Sequence, residues 1–221
     1  VPGGDQTAFV PSGIEYELSW PDDSRGLKLL AATVTDYGAD GLLWLVAVKN
    51  EGPQIVCVPS VVGLFLDEND LEVGSTQADV NADIHLTDTQ AIARCLGIGD
   101  IGMGWGPFRR PPVEVPIKHV IYRLQGFLED TTTKISSAAL QKIAIADAAA
   151  ASTTLSGTLT NNGSTAIQFP QIFVYPLNSV GRPFSVGRAT FTQDLAPGTS
   201  WDFNMSLDGP VGRYAAFTDY R

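Results

Sequence analysis

Histidine, methionine and cysteine each occur only twice in the 221 residues, and basic residues are outnumbered by acidic ones, 14 to 24. His85 and His119 lie far apart in the sequence, each inside a stretch that reads as a strand. A histidine-based triad needs a base within hydrogen-bond reach of a nucleophile and a third group to orient it. No Gly-x-Ser-x-Gly elbow, His-Glu-x-x-His pair or P-loop is present. With no CxxC and no Cys/His grouping, structural zinc is not expected. The longest uninterrupted apolar run is Leu42–Val48, far short of a membrane span. The acidic excess disfavours nucleic acid, which requires a basic footprint. No cofactor is expected, and a small-molecule ligand is not favoured.

What is present is a globular composition, 44% hydrophobic and 17% charged, which excludes general disorder. It also contains a repeat. Leu29–Leu66 aligns without gaps on Leu140–Leu177 at an offset of 111, with identities at Leu29/Leu140, Asp36/Asp147, Ala39/Ala150, Asn50/Asn161, Gly52/Gly163, Pro59/Pro170 and Leu66/Leu177. These positions matter more than their number. Asn and Gly tolerate positive φ, so Asn50-Glu51-Gly52 and Asn161-Asn162-Gly163 suit turns. Pro59 and Pro170 lack an N–H for a ladder and belong at a bulge or an edge. After a two-residue slip, Val73-Gly74 matches Val186-Gly187, and Leu86–Thr89 is set against Leu195–Gly198. The expected organisation is all-β: two tandem sandwich domains, residues 1–110 and 111–221, each of ordinary sandwich size. The charge divides unequally between them. Residues 1–110 hold 16 acidic and 6 basic residues, whereas 111–221 hold 8 of each, so the first copy carries the whole net charge of −10.

Copy two contains Gly157-Thr-Leu-Thr-Asn161-Asn-Gly163, then Phe173-Val-Tyr175-Pro-Leu177-Asn178, then Leu195-Ala-Pro197-Gly198, then an alternating strand Trp201–Leu207. Copy one has Ala47-Val-Lys-Asn50-Glu-Gly52 and Leu64-Phe-Leu-Asp67, with no Pro-Gly near Leu86. This order resembles the FxLYD-type immunoglobulin-like domains of secreted and cell-surface bacterial and archaeal proteins, although Pro176 interrupts the motif that names that family. The resemblance implies two immunoglobulin-like β-sandwiches in an extracellular, cell-surface or periplasmic setting. It is nearly silent on activity, because its motifs are turn chemistry.

In chain order, Val1–Gly13 reads as an extended arm; the first residue is Val, as in a processed or trimmed chain. Ile14–Trp20, Leu27–Thr35, Gly41–Lys49, Gln54–Asp67, Leu71–Ser75, Ile84–Leu86 and Gln90–Leu96 read as strands by alternation or β-branched content. Gly97–Pro112, rich in glycine and proline, reads as the linker between copies. Val113–Leu128 is expected to open copy two. Ser136–Ala151 has helical propensity but a strand counterpart in copy one; Lys142–Ala146 is read as strand, with a helical turn ahead of it left open. Thr154–Thr160, Gln168–Leu177, Phe184–Thr192, Ser200–Leu207 and Tyr214–Tyr220 complete the set.

Several residues are candidates for function. Cys57 and Cys95, set opposite Gln168 and Asn204, are either a disulfide joining two strands or two buried thiols; an extracellular setting favours the bridge. Asp67, Asn69, Asp70 and Glu72 supply oxygen ligands for calcium but miss the EF-hand spacing, and acids are common in turns for local reasons. Asp22-Asp23 is another turn pair and a weak candidate for glycosidase carboxylates. Asn162-Gly-Ser164 and Asn204-Met-Ser206 match the glycosylation sequon. Trp20, Trp44 and Trp201 read as core. Trp105, between two glycines, either packs between the copies or faces a partner. With Phe9, Val10 and Phe108 it forms the expected interaction set. The reading is a non-enzymatic structural or protein-interaction subunit, assembling with itself or in a larger complex. The alternative is a carbohydrate- or calcium-binding accessory module of a secreted enzyme.

Overall fold

The computed structural model describes residues 14–19, 24–36, 41–81, 83–87, 90–93, 95–108, 116–129, 152–164, 166–211 and 213–219. Every regular element among them is a strand, so the protein is all-β. The arm Val1–Gly13 with Phe9 and Val10, Trp20, the Asp22-Asp23 pair, Arg109–Pro112 and the ambiguous segment 136–151 lie outside the described residues.

The largest sheet joins β1 (Glu15–Leu18), β2 (Leu27–Asp36), β3 (Leu42–Asn50), β4 (Ile55–Leu66), β5 (Glu72–Asn81), β8 (Cys95–Leu96), β9 (Ile101–Phe108) and β10 (His119–Glu129). Its order is β1-β10-β4-β5-β9-β3-β2, with β8 pairing β4 off this path. A separate hairpin pairs β6 (Asp83–Thr87) with β7 (Gln90–Ala93). The large sheet curls, because one apolar cluster draws on strands from its whole width: Ala32, Trp44, Val46, Val61, Phe65, Val80 and Leu124 all face it. One layer is then β1-β10-β4-β5 and the other β9-β3-β2.

The corner between the layers is the short β5–β9 ladder, Asp79↔Trp105, Val80↔Gly104 and Asn81↔Met103. Glycine permits it. A Cβ on Gly104 would sit 2.7 Å from the Asp79 carbonyl oxygen, and one on Gly106 would collide with the Gln77 carbonyl. Residues 101–108 are therefore a central strand between β5 and β3, which corrects the reading of Gly97–Pro112 as a linker. The alternation Gly102-Met103-Gly104-Trp105-Gly106 is strand periodicity with glycine as the inner residue. A second correction concerns β10, read as the opening of copy two. It pairs in parallel with β1 and antiparallel with β4, so it belongs with the first half and the sheet does not break at residue 110.

The second half has β11 (Ser152–Thr160) paired with β14 (Ser200–Val211), and a three-stranded sheet in which β12 (Gln171–Pro176) lies between β13 (Gly187–Thr190) and β15 (Tyr214–Asp219). Leu155, Leu159, Ile172, Val174, Phe203, Met205 and Leu207 form its core. Alternation on β12 sends Ile172 and Val174 into that core, and Phe173 and Tyr175 to the opposite face. The same holds on β3, where Trp44, Val46 and Val48 point into the first core while Leu43, Leu45 and Ala47 point outward. These two outward faces meet. Leu30, Leu43, Leu45, Ala47 and Met103 pack with Phe173 and Tyr175, so both β3 and β12 are buried on both sides.

Matching hydrogen-bond frames recur in the two halves. The Asn50 N–H donates to the Asp100 carbonyl (3.0 Å), and its carbonyl accepts from Gly99 (2.8 Å). Its side chain donates to the Leu96 carbonyl (3.0 Å) and accepts from the Gly52 N–H (3.0 Å). Asn161 makes the same four bonds with Thr199 (3.0 Å), Gly198 (2.7 Å), Leu195 (2.8 Å) and Gly163 (2.9 Å). Gly99 and Gly198 sit at φ 83° and 72°, the conformation glycine adopts without steric cost. The true counterpart of Leu195–Gly198 is thus Leu96–Gly99, not Leu86–Thr89. The residues before the two prolines, Val58 and Phe169, also share positive φ, 50° and 44°. In β4 this is a bulge: Ser60 pairs Gln125 and Cys57 pairs Phe127, leaving Val58 and Pro59 opposite Gly126.

Candidate interaction sites

The strongest built feature is the joint between the halves. Trp105 is half-buried and packs against the shared cluster beside Ile101, Leu177, Val186, Ala215 and Phe217. Of its two readings the packing one fits: β9 holds it against the second half. Phe108 ends β9 opposite Leu42, and its side chain is outside the described residues. At the edge of this joint the buried Tyr175 hydroxyl donates to Asn81 Oδ1. A buried hydroxyl and amide satisfy each other there, and removing one would leave the other unpaired at appreciable cost. Tyr175 also meets Phe217 edge-on, centroids 5.9 Å apart. The sequence marks Tyr175 only as part of a repeat motif, and Asn81 carries no signal. Their contact depends on how the halves pack.

Tyr16 on β1 lies within electrostatic reach of Arg182 in the second half. Burial pushes its hydroxyl up to about 12, while the Trp44 side chain and the Arg182 guanidinium pull the other way. Arg182 belongs to the turn that follows β12, and its own value is lowered by burial and raised by Tyr16.

The acidic turn resolves into local hydrogen bonding. Asp67 Oδ1 accepts from the Asn69 N–H (2.8 Å) and the Leu71 N–H (2.9 Å). Asn178 does the same for Val180 (3.1 Å) and Arg182 (3.0 Å). The two backbone donors, Leu71 first, hold the Asp67 carboxyl below the usual carboxylate range. An amide performs the same task in the second half, so the carboxylate is an acceptor for a turn. Among the described residues no three His, Cys, Asp or Glu side chains are grouped to hold a metal, and Asp67, Asn69, Asp70 and Glu72 are not gathered into such a site. His119 lies between two carboxylates, with Nε2 3.4 Å from Glu17 and Nδ1 3.7 Å from Asp70, tying β1 to the turn after β4.

Cys57 and Cys95 are joined as a disulfide between register partners on β4 and β8, and both are buried. The matching bridge in the second half pairs Ile167 with Leu195, as Val56 pairs Leu96. The residues standing where the cystine stands are therefore Gln168 and Asp194, which replaces the sequence pairing of Cys95 with Asn204. The run Gly97-Ile98-Gly99-Asp100-Ile101-Gly102 has the glycine spacing of dinucleotide-binding loops. Here it leads from β8 into β9. No helix N-terminus follows to receive a pyrophosphate, so the spacing is turn chemistry alone.

No protein family matches the chain, and no curated protein matches it either. Among solved structures it is similar to red sea bream transglutaminase at 12% identity and a TM-score of 0.26, over 88% of this chain. The chain spans 29% of that protein's length, and a likeness at that score carries no argument.

Proposed function

We propose that this chain is a non-enzymatic, extracytoplasmic structural or interaction subunit built from two immunoglobulin-like β-sandwiches of FxLYD type. The first comprises residues 14–129 and the second residues 152–219. The observation that carries the reading is the recurrence of the Asn50 and Asn161 frames, bond for bond, on equivalent strands. The side chains that best define the chain serve turns, cores and the joint, as expected of a scaffold. The joint, with its double-sided burial of β3 and β12, makes one firm body whose remaining edges present partners with a fixed geometry. The cystine suits an oxidising compartment.

The test is the native mass of the protein isolated from its source, with titrations of calcium and of an oligosaccharide panel. A mass above that of one chain supports the reading. A single-chain mass together with saturable calcium or glycan binding would replace it with the accessory-module reading.

A further inference from the structure

The face of the first half that forms the joint has a counterpart in the second half. Leu43, Leu45 and Ala47 on β3, with Met103 and Trp105 on β9, pack against the second half. At the repeat offset the β3 stations are held by Thr154, Ser156 and Thr158 of β11. With Leu96 matched to Leu195, the stations of Met103 and Trp105 are held by Asp202 and Asn204 of β14. Each of these five apolar residues is thus exchanged for a polar one. Thr154, Ser156, Asp202, Asn204 and Ser206 are exposed, while Met205 lies in the second core. Residues 142–146, outside the described residues, match residues 31–35 of β2, which borders β3 on the side away from β9.

On this face side chains are tied in rows across the two strands. Thr160 and Ser200 share a hydrogen bond (2.9 Å), and the Thr158 hydroxyl donates to Asp202 Oδ1 (2.7 Å). The next row sets Ser156 opposite Asn204, and among the described residues no such bond joins them. Asn204 opens the sequon Asn204-Met205-Ser206. Alternation turns its amide and the Ser206 hydroxyl out together and sends Met205 inward. The other sequon, Asn162-Gly163-Ser164, is built into a turn. There the Gly163 N–H donates to Asn161 Oδ1 at 2.9 Å, and Asn162 has a partner of its own. The first half contains no sequon.

We infer that Asn204 is a glycosylation site, carrying an N-linked oligosaccharide over the β11–β14 face. This goes beyond the subunit reading and rests on its extracytoplasmic setting. The donor is an oligosaccharide activated on a lipid phosphate. Asn204 Nδ2 forms a bond to the anomeric carbon, and the bond from that carbon to the phosphate oxygen breaks. The lipid phosphate leaves with the oxygen and the electron pair, and Nδ2 gives up one proton. A strand already paired with β11 cannot bend into a transferase, so transfer precedes folding. The fold then decides which asparagine can keep its sugar. At Asn204 the sugar breaks no side-chain bond among the described residues and extends into water; at Asn162 it disturbs an existing contact. An N-linked sugar is bulky and solubilising. On the face that mirrors the joint, it keeps another module from stacking there.

Peptide mapping of the native protein tests this. Trypsin releases residues 189–213, which hold Asn204 and no other sequon. That peptide is expected to carry the mass of a sugar chain. Enzymatic hydrolysis of the glycosyl amide in heavy-oxygen water should then leave labelled Asp in place of Asn204. In protein secreted by the same source, Asn204→Gln and Ser206→Ala should each lose the sugar. Ser206→Thr, which keeps a hydroxyl at that station, should retain it. Unmodified residues 189–213 in the native protein, or sugar on Asn162 alone, overturns the inference. So does a sugar that survives Ser206→Ala or is lost in Ser206→Thr. The native-mass test is independent: an assembly lacking this sugar leaves the subunit reading standing, and a single chain bearing it leaves the inference standing.

Discussion

The two halves use the same turns to build different bodies. In the first, β5 and β9 pair and the sheet runs round a corner to enclose its core. In the second, the equivalent strands β13 and β14 do not pair, and two small sheets face each other. Once Leu96 is matched to Leu195, the positions of Gly102, Gly104 and Gly106 are held by Trp201, Phe203 and Met205. Glycine lets backbone approach backbone; the large side chains fill the same space and hold the sheets apart as a packed core. The halves differ also in outer faces. β3 presents Leu43, Leu45 and Ala47 to its neighbour, whereas β11 and β14 present Thr154, Ser156, Asp202, Asn204 and Ser206 to solvent. Apolar alternation on both faces marks a strand inside a stack, and polar alternation on one face marks its end.

The largest expected effect is on the cystine that only the first half has. Cys57→Ala/Cys95→Ala opens a loop of separation 38, and loop-closure entropy puts the loss at about 4 kcal/mol. Urea unfolding should show it, and an unchanged midpoint would mean that β8 is held by its ladder alone. Next comes Gly104→Phe, which gives the first half the residue the second half carries. Its Cβ would press on the β5 backbone, so a loss of about 3 kcal/mol is expected. A variant of wild-type stability would show that the corner does not depend on glycine.

The frames themselves come third. Asn50→Ala and Asn161→Ala each strand several buried backbone groups, and each should cost about 2 kcal/mol. If the two costs differ severalfold, the frames are alike in geometry but not in energetic role. The smallest effect is expected for Asp67→Asn, which makes the first turn like the second. Because the folded carboxyl is held below its unfolded value, its contribution is present above the unfolded value and disappears as pH falls through the folded one. The variant should keep neutral-pH stability and lose part of the acid sensitivity, as read from unfolding midpoints between pH 2 and 6, roughly the carboxylate range. Equal acid sensitivity in both proteins would remove Asp67 from the acid response.

Much of the turn chemistry was legible. Asn50, Gly52, Asn161, Gly163 and Pro59 act where a local rule places them, because an Asx turn or a bulge is settled within a few residues. The reading of β9 failed for a reason equally local: glycines at every second position imitate a linker, and only the neighbouring β5 backbone reveals that they are its inner face. The match of Leu195 to Leu86 failed because the first half inserts the β6–β7 hairpin, which shifts the offset between β5 and β8. Tyr175 with Asn81 had no signature at all, since neither is near the other in sequence, and Trp105 stood out between its glycines without showing which of its two readings would hold.

What the sequence determined by itself is the all-β character, the alternation that assigns each strand two faces, and the turns that repeat at a fixed offset. These follow from short-range sterics and from the period of two. Which strands meet was decided only in three dimensions: β10 with β1 and β4, β9 at the corner, and the apolar faces of β3 and β12 against each other. A strand's pattern says that a face will be buried but not by what, because burial is non-directional and any complementary apolar face can supply it.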